Sequence, residues 1–217
     1  MPEGYEPDLA SLVERARGLA AEGTRAILGI CGSPGAGKST LAAAIAEALT
    51  ESAVLVPMDG FHLANADLER LGRRNRKGAP DTFDAEGFVE LLRRLGQPVD
   101  DVVYAPIFDR QIEASIADAI AIDRRVPLVI TEGNYLLLDE GPWASIGDLL
   151  DECWYIEGNE EERLRRLIAR HVEFGKSPAE ADEWVHRSDE ANARLIDASR
   201  DRADALLTLD DGVRGAG

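Results

Sequence analysis

The chain has 217 residues, with 24 Lys or Arg against 41 Asp or Glu, so its formal net charge is −17. This length suits one domain with a sizeable core, and the excess of acid disfavours a nucleic-acid partner. Two cysteines and three histidines favour neither a disulfide framework nor a zinc site. With no leader-like start and no run near the ~18 apolar residues of a membrane span, we expect a cytoplasmic protein without a membrane partner.

The first elements in the chain surround a glycine-rich turn. Helical spacing of apolar residues predicts an amphipathic helix over 8–22. A short apolar run then predicts a buried strand over 25–31, and an Ala/Leu-rich segment predicts a second helix over 38–51. The turn between that strand and helix has the spacing G-x-x-x-x-G-K-[ST] at Gly32, Gly37, Lys38 and Ser39.

Each residue type in this turn suits phosphate binding. Glycines let backbone N–H groups converge on one anion, and a helix N-terminus adds partial positive charge. Lys38 can reach the β- and γ-phosphates, and the Ser39 hydroxyl can bind Mg²⁺. A tight turn without a ligand is the alternative. The rare spacing instead favours a nucleoside triphosphate site, with ATP-binding residues Gly32, Ser33, Pro34, Gly35, Ala36, Gly37, Lys38, Ser39 and Thr40.

The rest of the chain continues the alternation of strands and helices. We predict strands over 53–58, 102–108, 127–131, 152–156 and 205–209, helices over 65–71, 84–96, 160–174 and 178–197, and a strand or hairpin over 115–122. Ser177 and Glu180, with Pro178 between them, predict a capping box at the start of the last helix. This order predicts a single α/β domain over 1–217, with a mainly parallel sheet covered on both faces and a small helical lid near 160–180.

Two of the predicted strands end at a carboxylate that is followed by glycine, at Asp59 and at Glu132. Parallel strands bring such positions to the edge where ligands bind. We therefore predict that Asp59 orients or deprotonates an acceptor and that Glu132 joins Ser39 at a magnesium ion. At both positions a turn or cap residue is the alternative.

The helix over 160–174 carries a series of arginines that follow three glutamates. The spacing between the two groups matches i, i+4 ion pairs, so we expect Arg163 and Arg165 to lie on a solvated face. Arg166 and Arg170 share one face of the helix and are the better pair for a closing lid.

Together these segments resemble the P-loop small-molecule kinases of the phosphoribulokinase, uridine kinase and type I pantothenate kinase family. Besides the glycine-rich turn, the similar segments are 58–61 (MDGF), 76–84 (RKGAPDTFD), 106–109 (PIFD), 130–133 (ITEG) and the helix that carries the arginines. The resemblance implies a P-loop NTPase-type three-layer α/β/α fold and an ATP:alcohol phosphotransferase with ATP and Mg²⁺ as cofactors. It implies that Asp59 is the base, and that Lys38, Arg166 and Arg170 stabilise the transition state.

The resemblance does not name the acceptor. Gly78 stands where uridine kinases carry an acidic ribose-binding residue, and Gln111, Ile112 and Glu113 replace a pocket histidine. Pro106 stands where pantothenate kinases place a histidine after the pocket tyrosine. The acceptor is therefore predicted only as a small-molecule alcohol.

Several positions are candidates for binding this acceptor. The basic pair Arg76 and Lys77 in a very acidic chain suggests a grip on an anionic acceptor, or else a solvated loop. The predicted substrate-binding residues are His62, Arg76, Lys77, Tyr104, Phe108, Asp109 and Asn134. A nucleotide-dependent switch or ATPase that acts through a protein partner is the alternative function, and a homodimer is compatible with the sequence.

Overall fold

Six parallel strands form a central sheet in the computed structural model, which describes residues 4–5, 7–20, 24–97 and 99–209. Its strands are β1 (Gly4–Tyr5), β2 (Ala26–Gly32), β3 (Ala53–Pro57), β6 (Leu128–Gly133), β7 (Glu152–Glu157) and β8 (Ala205–Thr208), in the order β1-β8-β7-β2-β6-β3. Strand β2 lies at the centre, where Ile30 pairs with Glu132 of β6 and with Trp154 of β7. This confirms the predicted mainly parallel sheet.

Helices cover both faces of this sheet. They are α1 (Leu9–Ala20), α2 (Lys38–Ala48), α3 (Asn65–Arg70), α4 (Ala85–Gly96), α5 (Glu160–Glu173), α6 (Pro178–Trp184) and α7 (Glu190–Asp197). Alternate residues of a strand point to opposite faces, and the two hydrophobic clusters follow this rule: Ile27 packs with the cluster that contains α4, while Leu28 packs with α1 and α2. The three-layer α/β/α prediction is thus confirmed.

A separate antiparallel hairpin projects from this framework. Strands β4 (Val102–Asp109) and β5 (Ala114–Asp123) pair only with each other, for example Tyr104 with Ala121. The sequence left 115–122 open as a strand or hairpin, and the hairpin is what forms. Its inner face buries Val103 and Ile122 against the core, whereas Tyr104 on the outer face is 54% exposed.

The predicted long helix over 178–197 contains one π-helical turn. Its capping box is present, since the Ser177 side chain accepts from the Glu180 amide and the Glu180 side chain accepts from the Ser177 amide. A π-helical turn over Val185–Asp189 then joins α6 to α7, and the residues at both of its ends keep right-handed helical dihedral angles. The helical course predicted over 178–197 is therefore confirmed, with one π-helical turn inside it. Such turns often mark functional positions, and this one places Asp189 in a cavity described below.

None of the helices in the described part of the chain has the length and apolar character that crossing a bilayer requires.

Candidate active site

The glycine-rich turn leads directly into the N-terminus of helix α2. Gly37 is the N-cap residue and has φ 101°, a left-handed conformation that favours glycine. Among the described residues, no side chain caps this helix, and the first N–H groups of any helix lack partners within it. The turn therefore presents unpaired donors and the positive end of a helix dipole, which together suit the phosphates of ATP.

Lys38 and Ser39 extend this site toward strand β6. The buried Lys38 ammonium donates to the Ser33 carbonyl oxygen at 3.1 Å, and the Ser39 hydroxyl donates to Glu132 Oε1 at 2.9 Å. Burial lowers the pKa of Lys38, and the charge of Glu132 opposes that shift. Burial, followed by repulsion from Asp59, raises the pKa of Glu132, which Lys38 and Ser39 counteract. These groups form one electrostatically connected cluster.

The donor set at this point fits a magnesium ion. Ser39 supplies a hydroxyl oxygen and Glu132 a carboxylate oxygen, and oxygen ligands are what Mg²⁺ prefers. Within the described residues, no group of three or more acidic, histidine or cysteine side chains could hold a metal ion by itself. A magnesium ion here would therefore depend on Ser39, Glu132 and the phosphates of the nucleotide.

Asp59 lies in the 3₁₀ turn Met58–Phe61 that follows strand β3. Its Oδ2 accepts from Arg110 Nη2 at 2.8 Å, an ion pair that the sequence reasoning missed. The neighbouring His62 ring lies between Phe83 and Phe108, with centroid distances of 4.1 and 4.6 Å. Burial lowers the pKa of His62. Arg110 follows Asp109 directly, so the 106–109 segment was the one available signal for it.

A cavity of about 430 Å³ connects these groups. The predicted site residues that line it are Pro34, Gly35, Lys38, Ser39, Asp59, His62, Lys77, Phe108, Glu132, Asn134 and Arg170. The predicted base, the glycine-rich turn over 32–37 (the phosphate turn below) and the predicted metal-side residues thus share one cavity. The sequence reasoning missed several residues that also line it, among them Arg74, Arg110, Glu113, His171, Lys176 and Asp189.

Three predicted substrate-binding residues do not line this cavity. Arg76 pairs with Asp81, Tyr104 lies on the outer face of the hairpin, and Asp109 accepts from the Gln111 amide at 2.8 Å. Lys77 does line the cavity, with its ammonium 2.9 Å from Glu113 Oε2 and 4.7 Å from the centroid of the Phe108 ring.

A second groove of about 220 Å³ also borders the phosphate turn. It is lined by Gly35, Gly37, Lys38, Ser39, Thr40, Arg166, Leu167 and Arg170. Arg170 borders both spaces, whereas Arg166 borders only the groove and pairs with Glu162. Two other predicted ATP-binding residues form hydrogen bonds within the protein: Ser33 Oγ donates to Asp197 Oδ1 at 2.8 Å, and the Ala36 amide donates to the Ser33 carbonyl. Gly32 ends strand β2.

The position of Arg163 on helix α5 differs from the prediction. We expected it on a solvated face, yet its side chain is 8% exposed, pairs with Glu190 and donates from Nη1 to the Pro34 carbonyl at 3.3 Å. The prediction was wrong because the side of α5 that carries Arg163 packs on the phosphate turn. Arg165 is 73% exposed, as predicted.

Comparison with known proteins identifies the family. No family model matches the chain. A Schizosaccharomyces pombe protein named as a candidate uridine kinase is 34% identical over 215 residues, covering 93% of this chain and 92% of that protein. A crystal structure of a candidate fructose transport system kinase from Silicibacter sp. TM1040 is 37% identical and covers 93% of this chain and 98% of that one, with a TM-score of 0.80.

A third comparison concerns the fold alone. Phosphoribulokinase from Rhodobacter spheroides is 16% identical, with a TM-score of 0.63 over 86% of this chain and 71% of that one. The sequence relationship, the shared fold and the phosphate turn with its Lys38, Ser39 and Glu132 cluster agree with one another. The chain belongs to the phosphoribulokinase and uridine kinase family of ATP-dependent P-loop kinases, and it is therefore a phosphotransferase.

Proposed function

We propose that this kinase transfers the γ-phosphoryl group of Mg-ATP to a hydroxyl group of a small-molecule acceptor, with Asp59 as the base. The observation that carries the proposal is that Asp59 lines the same cavity as Lys38, Ser39 and Glu132. The S. pombe relative is named for uridine, and the Silicibacter structure is named for a fructose transport system. They support a small alcohol in general rather than one compound.

The phosphate side of the cavity would hold and neutralise the triphosphate. The amides at the start of α2 bind phosphate oxygens, and Lys38 and Arg170 face the charge that spreads over the moving phosphoryl group. A magnesium ion, held by Ser39 and Glu132, supplies further charge neutralisation when bound. In such reactions positioning and electrostatics provide most of the rate enhancement.

The acceptor side would supply the proton acceptor. Asp59 accepts from Arg110 through Oδ2, and its Oδ1 accepts no hydrogen bond from any other described residue. That oxygen can take the proton of an acceptor hydroxyl, while the hydroxyl oxygen forms a bond to the γ-phosphorus. The bond between this phosphorus and the oxygen bridging to the β-phosphate breaks, and ADP leaves. Arg110 fixes the direction in which the carboxylate points.

Asp59→Asn tests this role, because it keeps the shape of the side chain and removes its basicity. Acceptors are first found by screening sugars, nucleosides and pantothenate for acceptor-dependent ADP release. We expect the variant to lower kcat about 10²- to 10⁴-fold and to leave nucleotide affinity within a few-fold. Asp67→Asn is the matched control, since Asp67 is 53% exposed and pairs with Arg70 on α3.

The outcomes separate the proposal from the alternative. Near-normal turnover in Asp59→Asn would remove this residue from the mechanism. ATP hydrolysis that no acceptor accelerates would favour a nucleotide-dependent switch that acts through a protein partner.

A further inference from the structure

The basic side chains without an ion pair concentrate in the cavity. In this chain of net charge −17, most described Lys and Arg side chains pair with Asp or Glu. Among the described basic residues, the ones that form no direct ion pair are Arg25, Lys38, Arg74, Arg170, Lys176 and Arg194. All of these except Arg25 and Arg194 line the cavity. Arg25 instead donates to the backbone carbonyls of Val126, Leu95 and Asp123.

The nucleotide accounts for only part of this positive charge. Lys38 and Arg170 also border the groove along the phosphate turn, whereas Arg74 and Lys176 border only the larger cavity. Arg74 begins the 3₁₀ turn Arg74–Arg76 that follows α3. Lys176 lies between α5 and α6, with its ammonium 4.7 Å from the centroid of the Trp184 ring. Two separate segments thus each contribute a cation to the cavity.

The acids that line the cavity do not neutralise these two cations. Glu113 pairs with Lys77, Asp59 pairs with Arg110, and Asp189 lies 2.8 Å from His171 Nε2. Glu132 accepts from Ser39. Arg74 and Lys176 thus form no direct ion pair with these acids, although the charge of Lys176 also acts on Glu180 outside the cavity. In an otherwise acidic protein, two such cations in one cavity would attract and retain an anion.

We infer that the acceptor carries an anionic group, a carboxylate or a phosphate monoester, which Arg74 and Lys176 bind while its hydroxyl faces Asp59. This inference rests on the proposed function and narrows its substrate class. Lysine and arginine donate charge-assisted hydrogen bonds to both kinds of oxyanion. A neutral sugar or nucleoside would give neither cation an anionic group to bind in the occupied cavity.

The test uses acceptors in matched sets that share a skeleton and differ in charge. Suitable sets are glycerol, glycerate and glycerol 3-phosphate; panthenol and pantothenate; fructose and fructose 6-phosphate; and uridine and its 5′-monophosphate. The measurement is kcat/KM for acceptor-dependent ADP release by the full chain. We expect an anionic member to exceed its neutral counterpart at least 100-fold, and the sets separate carboxylate from phosphate recognition.

Variants connect this preference to the two cations. Arg74→Gln and Lys176→Gln should each raise KM for the anionic acceptor about tenfold, with kcat and the weak use of the neutral counterpart nearly unchanged. Arg194→Gln is the matched control, because it removes an unpaired, exposed charge outside the cavity. Equal or better use of neutral members, or an unchanged KM in both variants, would overturn the inference.

A binding measurement covers the case in which no compound is phosphorylated, a result that would count against the proposed function itself. Inorganic phosphate is titrated calorimetrically into protein saturated with magnesium and a non-hydrolysable ATP analogue, which occupies the phosphate turn. We expect the double variant Arg74→Gln/Lys176→Gln to bind phosphate at least tenfold more weakly than the unchanged protein. Equal affinity of the two proteins would contradict the anion site independently of any activity.

Discussion

The buried ion pair between Arg163 and Glu190 allows a quantitative prediction about stability. Their side chains are 8% and 16% exposed, and Arg163 also donates to the Pro34 carbonyl of the phosphate turn. Arg163→Met keeps most of the side-chain volume and leaves the largely buried Glu190 without its cation. Breaking a buried pair in this way costs about 3–5 kcal/mol. For a chain of this size, that loss corresponds to a decrease in Tm of roughly 6–20 °C.

Urea unfolding followed by circular dichroism measures this loss. Arg165→Met is the control on the same helix: Arg165 is 73% exposed, so its removal should change the free energy of unfolding by no more than about 0.5 kcal/mol. The double variant Arg163→Met/Glu190→Met should recover most of the loss, because apolar replacement of a buried pair is often neutral. A loss below about 1 kcal/mol in Arg163→Met, the range of an exposed pair, would refute the buried role.

Two further predictions concern packing near the site. A Cβ atom on Gly60 would lie 2.4 Å from the Pro106 carbonyl oxygen, so Gly60→Ala should lower the free energy of unfolding by about 1–3 kcal/mol and lower kcat. Gly18→Ala is the control, because Gly18 has open space around it and this variant should show neither loss. Equal urea midpoints for the two variants would contradict this prediction. Both thiols are buried, and burial raises the pKa of Cys31 to about 11 and that of Cys153 well above its usual range. Since the thiolate is the reactive form, Ellman's reagent at pH 8 should label the folded protein very slowly and the urea-unfolded protein fully. Rapid labelling of the folded protein would contradict the burial of the two thiols.

The phosphate side of the site could be predicted because its geometry is encoded locally. The spacing of Gly37, Lys38 and Ser39 fixes a turn, the start of a helix and the direction of the amides within a few residues. Glu132 needed only one additional rule, that neighbouring parallel strands end at the same edge of the sheet. Its hydrogen bond with Ser39 follows from the pairing of β2 with β6.

The acceptor side could not be predicted to the same extent, because it depends on contacts between distant segments. Arg110 meets Asp59 only because the hairpin folds back over the turn that follows β3. Arg76 and Lys77 are adjacent in sequence, yet one pairs with Asp81 outside the cavity and the other points into it. Arg163 and Arg165 show the same divergence on helix α5, where the phosphate turn buries only the first. In each pair, tertiary packing determines the role, and composition or spacing does not reveal it.

This division between the two sides explains how one family can include kinases named for different acceptors. The phosphate side is built on the ends of β2 and β6 in the centre of the sheet, where any change would disturb nucleotide binding. The acceptor side is built from loops, the hairpin and the π-helical turn, which tolerate substitution because fewer contacts depend on them. A change of charge at Arg74 or Lys176 could therefore alter the acceptor without altering the fold. The charge of these loop residues, rather than the phosphate turn, is consequently the feature from which the acceptor of this kinase should be inferred.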